Sequence, residues 1–498
     1  MGRGEPIAWG RRPATCLAAL LLLAVTGAAC TGRDTGGNDR SGRQQGRGQQ
    51  LQTYSGPAIR GEANPIGLKW DWPRLGRYLP FVKSLSGGST WYEFEWCQVE
   101  PRAGQRDWGT VDGVVSSTRR LGYGLLLKIR VGSCWVTGGR RGEERGAKRN
   151  TVSAMPEDLD AYEAFVREVV ARYGKLGVHE YAIENEVNAR NFWQGTPEQF
   201  EQLTRLGAQA VRQADPKAQV LDSGIASPVY GLAIADRLLA QGRGDEAVAA
   251  YQRYYARRGP QFEQVASADE LRRVLAEPQV RQSLAYLAAT QRLARDHVID
   301  AYQLHFYEPW ENVPALLAYL RDTLPPELPI EAWEVGMFWR GGPQDQRNDQ
   351  RLRADEATKV VALLLAGGVR RVTWLPLAAH QEGDDGGELH FGLLDEGGAV
   401  RPAGEAVREL SAAAGGSAWR ALPTGLVSGV AFGKGRRSTL VIWNDRGAIV
   451  PGPPRPGMKA MAVDGTPVPW GADGMRLGSE PVLVSVQLGL EDAVSLLR

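Results

Sequence analysis

The chain has 498 residues, 43% of them hydrophobic, enough for one large core and a small second domain. Lys plus Arg total 59 and Asp plus Glu total 57, so the net charge of +2 gives no electrostatic case for a nucleic-acid partner. No Gly-rich phosphate loop follows the first strand, which argues against a nucleotide enzyme and an open doubly wound sheet.

The N-terminus is a targeting segment, not folded structure. Arg11 and Arg12 form a basic flank, residues 16–25 are apolar, and Thr26-Gly-Ala-Ala-Cys30 follows. Small residues before a cysteine resemble a bacterial lipoprotein signal over residues 1–30, with Cys30 as the lipidated residue. Ordinary secretion is the alternative, and the apolar run is short for a spanning helix. Residues 31–62 are mostly Gly, Arg, Gln, Ser, Thr and Asn, and read as a flexible polar linker. The expected location is extracytoplasmic, lipid-anchored at the cell membrane or secreted. In an oxidising compartment Cys97 and Cys134 could pair, or stay as two buried thiols.

Residues 63–412 alternate between strand and helix patterns. Strands are expected at 66–70, 90–96, 125–130, 178–183, 218–222, 298–306, 330–335 and 371–375. Helical spacing appears at 111–121, 159–173, 199–214, 313–324 and 357–365. A stretch rich in Ala, Arg, Glu and Leu, about 228–296, reads as an insertion of several helices that shapes a cleft or buttresses the fold. Eight strands with intervening helices predict an α/β fold, a (β/α)8 TIM barrel. From 413 to 498, β-like runs at 426–432, 438–443, 458–463 and 482–488 predict a small all-β, sandwich-like domain. Packing against the barrel is its expected role, with Trp443 and Trp470 as core residues or sugar platforms.

Two strand ends carry the chemistry. One closes in Glu184-Asn185-Glu186 and the other in Glu331-Ala-Trp333-Glu334-Val-Gly336. Buried carboxylates are costly without a partner, so their placement suggests a pocket. Hydrolysis of a glycosidic bond uses two such groups. One holds a proton for the leaving oxygen, the other is ionised and attacks the sugar or directs water. Tyr307 could hold Glu334 by a hydrogen bond and keep its pKa low. Glu331, at the start of its strand, suits a salt bridge at the far end of the barrel.

These residues resemble the clan of retaining glycoside hydrolases built on TIM barrels, and within it glycoside hydrolase family 39 and its relatives. Asn185-Glu186 looks like the clan's Asn-Glu pair ending strand four, which implies Glu186 as acid/base and Asn185 as a ligand of a sugar hydroxyl. Glu334-Val-Gly336 looks like the nucleophile end of strand seven. His305-Phe-Tyr307 resembles the clan's His-x-Tyr on strand six, and Trp374 the tryptophan that floors the sugar subsite from strand eight. Trp96-Cys-Gln-Val-Glu100-Pro101 with Gly104, Asp107 and Trp108, and Phe391-Gly-Leu-Leu-Asp395, resemble two further clan segments. The resemblance implies double displacement on a polysaccharide or oligosaccharide, without cofactor or metal.

The chain also departs from that pattern. The clan's strand-two arginine, which braces the nucleophile, is missing from Trp91-Tyr-Glu-Phe-Glu95; Arg130 or Lys128 could substitute. Glu184 stands where an aromatic residue is frequent, and could raise the pKa of Glu186 or bind sugar. Trp96, Trp135, Phe192, Trp193, Trp310, Phe338 and Trp339 line the expected rim, with Trp193 and Trp339 as candidate sugar-binding faces. His380, Glu382, Asp384 and Asp385 form a polar loop that could meet substrate, chelate calcium or stay solvated. A non-catalytic carbohydrate-binding surface lipoprotein is the alternative function.

Overall fold

The structure, a computed structural model, describes residues 59–60, 63–85, 87–139, 144–145, 150–256, 264–337, 349–378, 392–422 and 427–497. The signal segment with Cys30, the rim residues Phe338 and Trp339, the 380–385 loop and Phe391 lie outside them. No helix of the described residues is long and apolar enough to cross a membrane.

Eight parallel strands follow one another in chain order: β1 Ile66–Leu68, β2 Ser89–Glu95, β3 Gly124–Arg130, β4 Glu180–Ile183, β5 Gln219–Leu221, β6 Tyr302–Phe306, β7 Ile330–Val335 and β8 Val372–Trp374. β2 to β5 pair in sequence, as do β6 to β8, and β8 pairs with β1. Bridges Leu221–Ala301 and Ile225–Leu304 join β5 to β6. The ring closes where β1 lies against β2. A Cβ on Gly67 would stand 2.1 Å from the Ser89 carbonyl oxygen, so only glycine permits that approach.

Helices follow the strands: α1 Leu75–Ser84, α2 Gly109–Leu121, α3 Leu159–Tyr173, α4 Pro197–Ala214, then α5 Pro228–Ala240, α6 Gly244–Tyr255, α7 Ala268–Ala276 and α8 Pro278–Arg295, then α9 Val313–Thr323, α10 Gln350–Ala366 and α11 Pro402–Ala414. Their starts follow local chemistry. Asp158 caps α3 through Ala161 N–H, and Thr196 and Gln199 form a reciprocal capping box at α4. The expected insertion is α5 to α8, between β5 and β6. It braces the end of β4: Asn188 donates to Ser283 on α8, and the Tyr286 hydroxyl donates to the Gly195 carbonyl.

Strand alternation sorts the barrel residues. Trp91, Leu126, Ala182, Leu221, Ala301 and Trp333 point inward and form an apolar layer. Below it, Trp333 Nε1 donates to Glu331, while Arg371 makes its ion pair with Glu180, so the salt bridge expected for Glu331 goes to the carboxylate on β4. Above it, inward positions become polar.

The C-terminal strands are β9 Ala418–Ala421, β10 Ser428–Lys434, β11 Arg437–Trp443, β12 Ala448–Val450, β13 Lys459–Ala462, β14 Met475–Leu477 and β15 Val482–Val486. Five form an antiparallel sheet in the order β9-β10-β11-β15-β13, and Ile59–Arg60, from the stretch expected to be linker, adds an edge strand on β9. Alternation gives this sheet two buried faces. Phe432, Val441 and Trp443 join the barrel core against α10 and α11, while Ala431, Leu440 and Ile442 build a second core with β12, β14 and the last helix, Leu490–Ser495. Trp443 is therefore a packing residue, and Trp470 packs against the second core with its Nε1 donating to Gly452 O.

Cys97 and Cys134 are bridged, with 5.7 Å between Cα atoms. They join the segments that leave β2 and β3, closing a loop whose sequence separation of 37 corresponds to about 2–4 kcal/mol of stabilisation.

Candidate active site

Glu334 owes its direction to an irregularity in β7. Glu331 lies opposite Gln303 and Glu334 opposite His305, so Ala332 and Trp333 together face the single residue Leu304. Strict alternation after Glu331 and Trp333 would turn Glu334 outward. The bulge returns it to the barrel interior beside His305.

Three groups hold the Glu334 carboxylate. Lys128 Nζ makes an ion pair with Oε1, the Tyr307 hydroxyl donates to Oε2 at 2.8 Å, and His305 Nε2 lies 3.5 Å from Oε1. Burial by itself would raise the Glu334 pKa. The His305 ring facing it and the positive charge of Lys128, with hydrogen bonds from Lys128 and Tyr307, outweigh burial and hold the carboxyl well below its ordinary range. Lys128 is wholly buried over the Trp91 ring, 4.3 Å from its centroid, and also donates to Asn185 Oδ1 at 2.8 Å.

Glu186 approaches from β4. The chain leaves that strand through two left-handed residues, Glu184 at φ 65° and Glu186 at φ 41°, rare for side chains of this kind and costing about 1–3 kcal/mol each. Ser223 and Gly224 carbonyls accept from Glu186 N–H and hold the turn. Glu186 Oε1 then lies 3.0 Å from His305 Nδ1. One oxygen of Glu186, one of Glu334 and a ring nitrogen of His305 all fall within 4.8 Å of one another. Gly224 makes room for the ring, since a Cβ there would stand 2.1 Å from His305 Nε2.

A second charged group fills the barrel end beside this pair. Arg130 is wholly buried and lies 3.2 Å from Glu93, 3.1 Å from Glu95 and 3.4 Å from Glu184. Glu184 also accepts from Val131 N–H at 2.7 Å, and Glu95 from Thr151 N–H at 2.7 Å.

Four expected site residues are corrected by this geometry. Glu184 and Arg130 are fully enclosed and bind each other. Trp374 lies opposite Val335 on the outward face of β8, in the core under the helices, because Thr373 takes the inward position. Trp193 is a core residue, 3% exposed. Glu184 does not share a strand face with Glu186 either, since the left-handed turn breaks the alternation. Asn185, His305 and Tyr307 do converge on Glu186 and Glu334. Of the described rim aromatics, Trp96 and Phe192 are buried, Trp310 is half-buried and Trp135 is exposed.

Burial lifts the Glu184 carboxyl to about 7 and that of Asp222 to about 6, against partial relief from Arg130 and from backbone N–H groups. Burial raises Asp355 on α10 to about 7 as well. Each binds a proton more tightly folded than unfolded. The stability it confers is complete below its ordinary pKa and is lost as pH rises through the folded value. Glu334 has the opposite sign, but acts only below the ordinary carboxylate range. Thermal melts should therefore give a Tm that falls between about pH 5 and pH 8, with a shallower fall in Glu184→Gln. A Tm rising across that window would contradict the assignment.

No protein-family model matches the chain, and no match is found among curated proteins. Solved structures do match. A family 39 glycoside hydrolase from the gut symbiont Bacteroides cellulosilyticus aligns with a TM-score of 0.58 at 16% identity, covering 85% of this chain and 81% of its own. A family 39 β-xylosidase from Caulobacter crescentus aligns with a TM-score of 0.50 at 14% identity, covering 86% and 98%. The fold is that of these glycoside hydrolases.

On this fold the two carboxylates are distinguished by their surroundings. Glu334 is held ionised among donors, while Glu186 is half-buried and meets one imidazole nitrogen. Two buried polar residues escaped full recognition in the sequence. Lys128 in Leu-Leu-Leu-Lys-Ile was one of two candidates for the missing arginine, and its charge inside an apolar strand was the available signal. Gln303 was not singled out, although Tyr302-Gln-Leu-His305 puts it on the same strand face as His305.

Proposed function

We propose that the chain is a retaining glycoside hydrolase that cleaves a β-linked polysaccharide or oligosaccharide by double displacement. The observation that carries this reading is the approach of Glu186 and Glu334 to within 4.8 Å, oxygen to oxygen, with only Glu334 held by a buried cation. Retaining glycosidases place their carboxyl groups about 5–5.5 Å apart, and inverting ones about 6.5–9.5 Å. Glu334 attacks the anomeric carbon as Glu186 gives its proton to the departing oxygen, leaving a glycosyl ester on Glu334. Water then attacks the same carbon and passes a proton to Glu186 as the ester bond breaks. The Asn185 amide, its oxygen engaged by Lys128, offers its N–H2 to a sugar hydroxyl. The absence of a strand-two arginine favoured a non-catalytic binder, but Lys128 supplies the missing cation from strand three. The N-terminal segment gives the activity an extracytoplasmic setting, on a lipid anchor at Cys30 or after secretion.

The test is a panel of aryl β-glycosides and polysaccharides, followed by NMR of the first-formed sugar. The β-anomer should appear first. Glu186→Ala should keep its kcat/KM on glycosides with highly acidic leaving groups while kcat falls, and added azide should raise turnover and yield a β-glycosyl azide. Initial release of the α-anomer, or binding without cleavage throughout the panel, would refute the proposal.

A further inference from the structure

The proton that Glu186 must hold has a neighbour whose role the reaction above leaves open. Gln303 lies on β6 two residues before His305 and is wholly buried. Its side-chain N–H2 donates to the backbone carbonyl of Asp222. That carbonyl can only accept, so the contact fixes which end of the amide is nitrogen. The Gln303 oxygen then faces His305 Nε2 at 3.2 Å. This oxygen also only accepts, so Nε2 must carry the hydrogen. Glu334 Oε1, 3.5 Å from Nε2, is an acceptor too.

A neutral ring with hydrogen on Nε2 has a bare Nδ1. Nδ1 lies 3.0 Å from Glu186 Oε1, and a hydrogen bond there needs a proton on Glu186. Resting on the glycosidase reading, we infer that Gln303 is a positioning residue: it fixes His305 as the Nε2–H tautomer, so that the proton shared by Nδ1 and Glu186 stays on Glu186, ready for the glycosidic oxygen. The competing state is an imidazolium beside ionised Glu186. Lys128 Nζ, a donor 3.4 Å from Nε2, directs its hydrogens to Glu334 Oε1 and Asn185 Oδ1, the closer acceptors, and its charge opposes a second ring proton. Glu334 and Asp222 favour it, but Glu334 is paired with Lys128, and burial delays ionisation of Asp222 to about pH 6. Among the described residues, Tyr230 and Tyr302, bonded to each other, and Tyr307, bonded to Glu334, also stand near the pair.

Gln303→Glu places a carboxylate against Nε2–H and draws the proton from Glu186 to the ring. For substrates whose leaving group needs protonation, kcat/KM should fall by about 10²-fold or more. For dinitrophenyl glycosides, which need no acid, it should change less than about tenfold. Gln303→Met, similar in size and without the acceptor, should shift the same ratio in the same direction. Equal loss on both substrate types, or no change on either, overturns the inference. NMR of the native protein with 15N-labelled histidine gives a readout independent of variant folding. His305 should show hydrogen on Nε2 and none fixed on Nδ1, and the reverse pattern also overturns the inference. Lack of hydrolysis by the native protein would sink the glycosidase reading instead and leave the tautomer measurement able to decide.

Discussion

Glu334→Ala should lower turnover of aryl β-glycosides by at least about 10⁴-fold, some 5 kcal/mol of lost transition-state stabilisation. The carboxylate is the only group described at the barrel end that is both ionised against burial and aimed at the position Glu186 faces. Removing it leaves a space next to Lys128, His305 and Tyr307 that a small anion can enter. Added azide should therefore restore cleavage and give an α-glycosyl azide, inverted relative to the substrate. Substantial residual turnover, or rescue with the β-azide, would move the nucleophile elsewhere.

Lys128→Met should have the next largest effect, lowering kcat by about 10²–10³-fold. Among the described residues, Lys128 is the one wholly buried Lys or Arg that touches Glu334. Without it, burial dominates and the Glu334 pKa rises. The acidic limb of the rate profile should then move to higher pH, because Glu334 attacks only when ionised. Breaking a buried ion pair also costs about 3–5 kcal/mol of stability, visible as a lower Tm. Lys128→Arg separates the two effects: it keeps the charge, so the limb should stay near its native position even if the rate falls. A limb that does not move in Lys128→Met would reduce Lys128 to a packing role.

The missing strand-two arginine thus has a physical counterpart. A cation is needed beside a carboxylate buried in a narrow barrel, but the strand that supplies it is free to vary, because neighbouring inward positions of β2 and β3 reach the same space. Arg130, the other candidate, is already committed to three carboxylates.

Some elements were hidden by local chemistry. α1 contains Pro80 and α11 begins with Pro402, and both escaped a reading based on apolar spacing. The short strands β9, β12 and β14 carry three or four residues each, too few for alternation to stand out. The long α10 was only partly visible, because it is buried nearly all round and lacks a polar face over much of its length.

What the sequence by itself determined is local. Apolar strands alternating with amphipathic helices specify the order of the barrel, and Asn185-Glu186, His305-x-Tyr307 and Glu334 mark where strands four, six and seven end. What the tertiary structure decided is direction and partnership. The bulge at Ala332–Trp333 aims Glu334 inward, the left-handed turn separates Glu184 from Glu186, and the outward register of β8 removes Trp374 from the pocket. Lys128, rather than Arg130, meets Glu334. Strand periodicity predicts the face of a side chain only while the register is unbroken, and ion pairs join residues as far apart as Lys128 and Glu334. Those choices are made when the barrel closes.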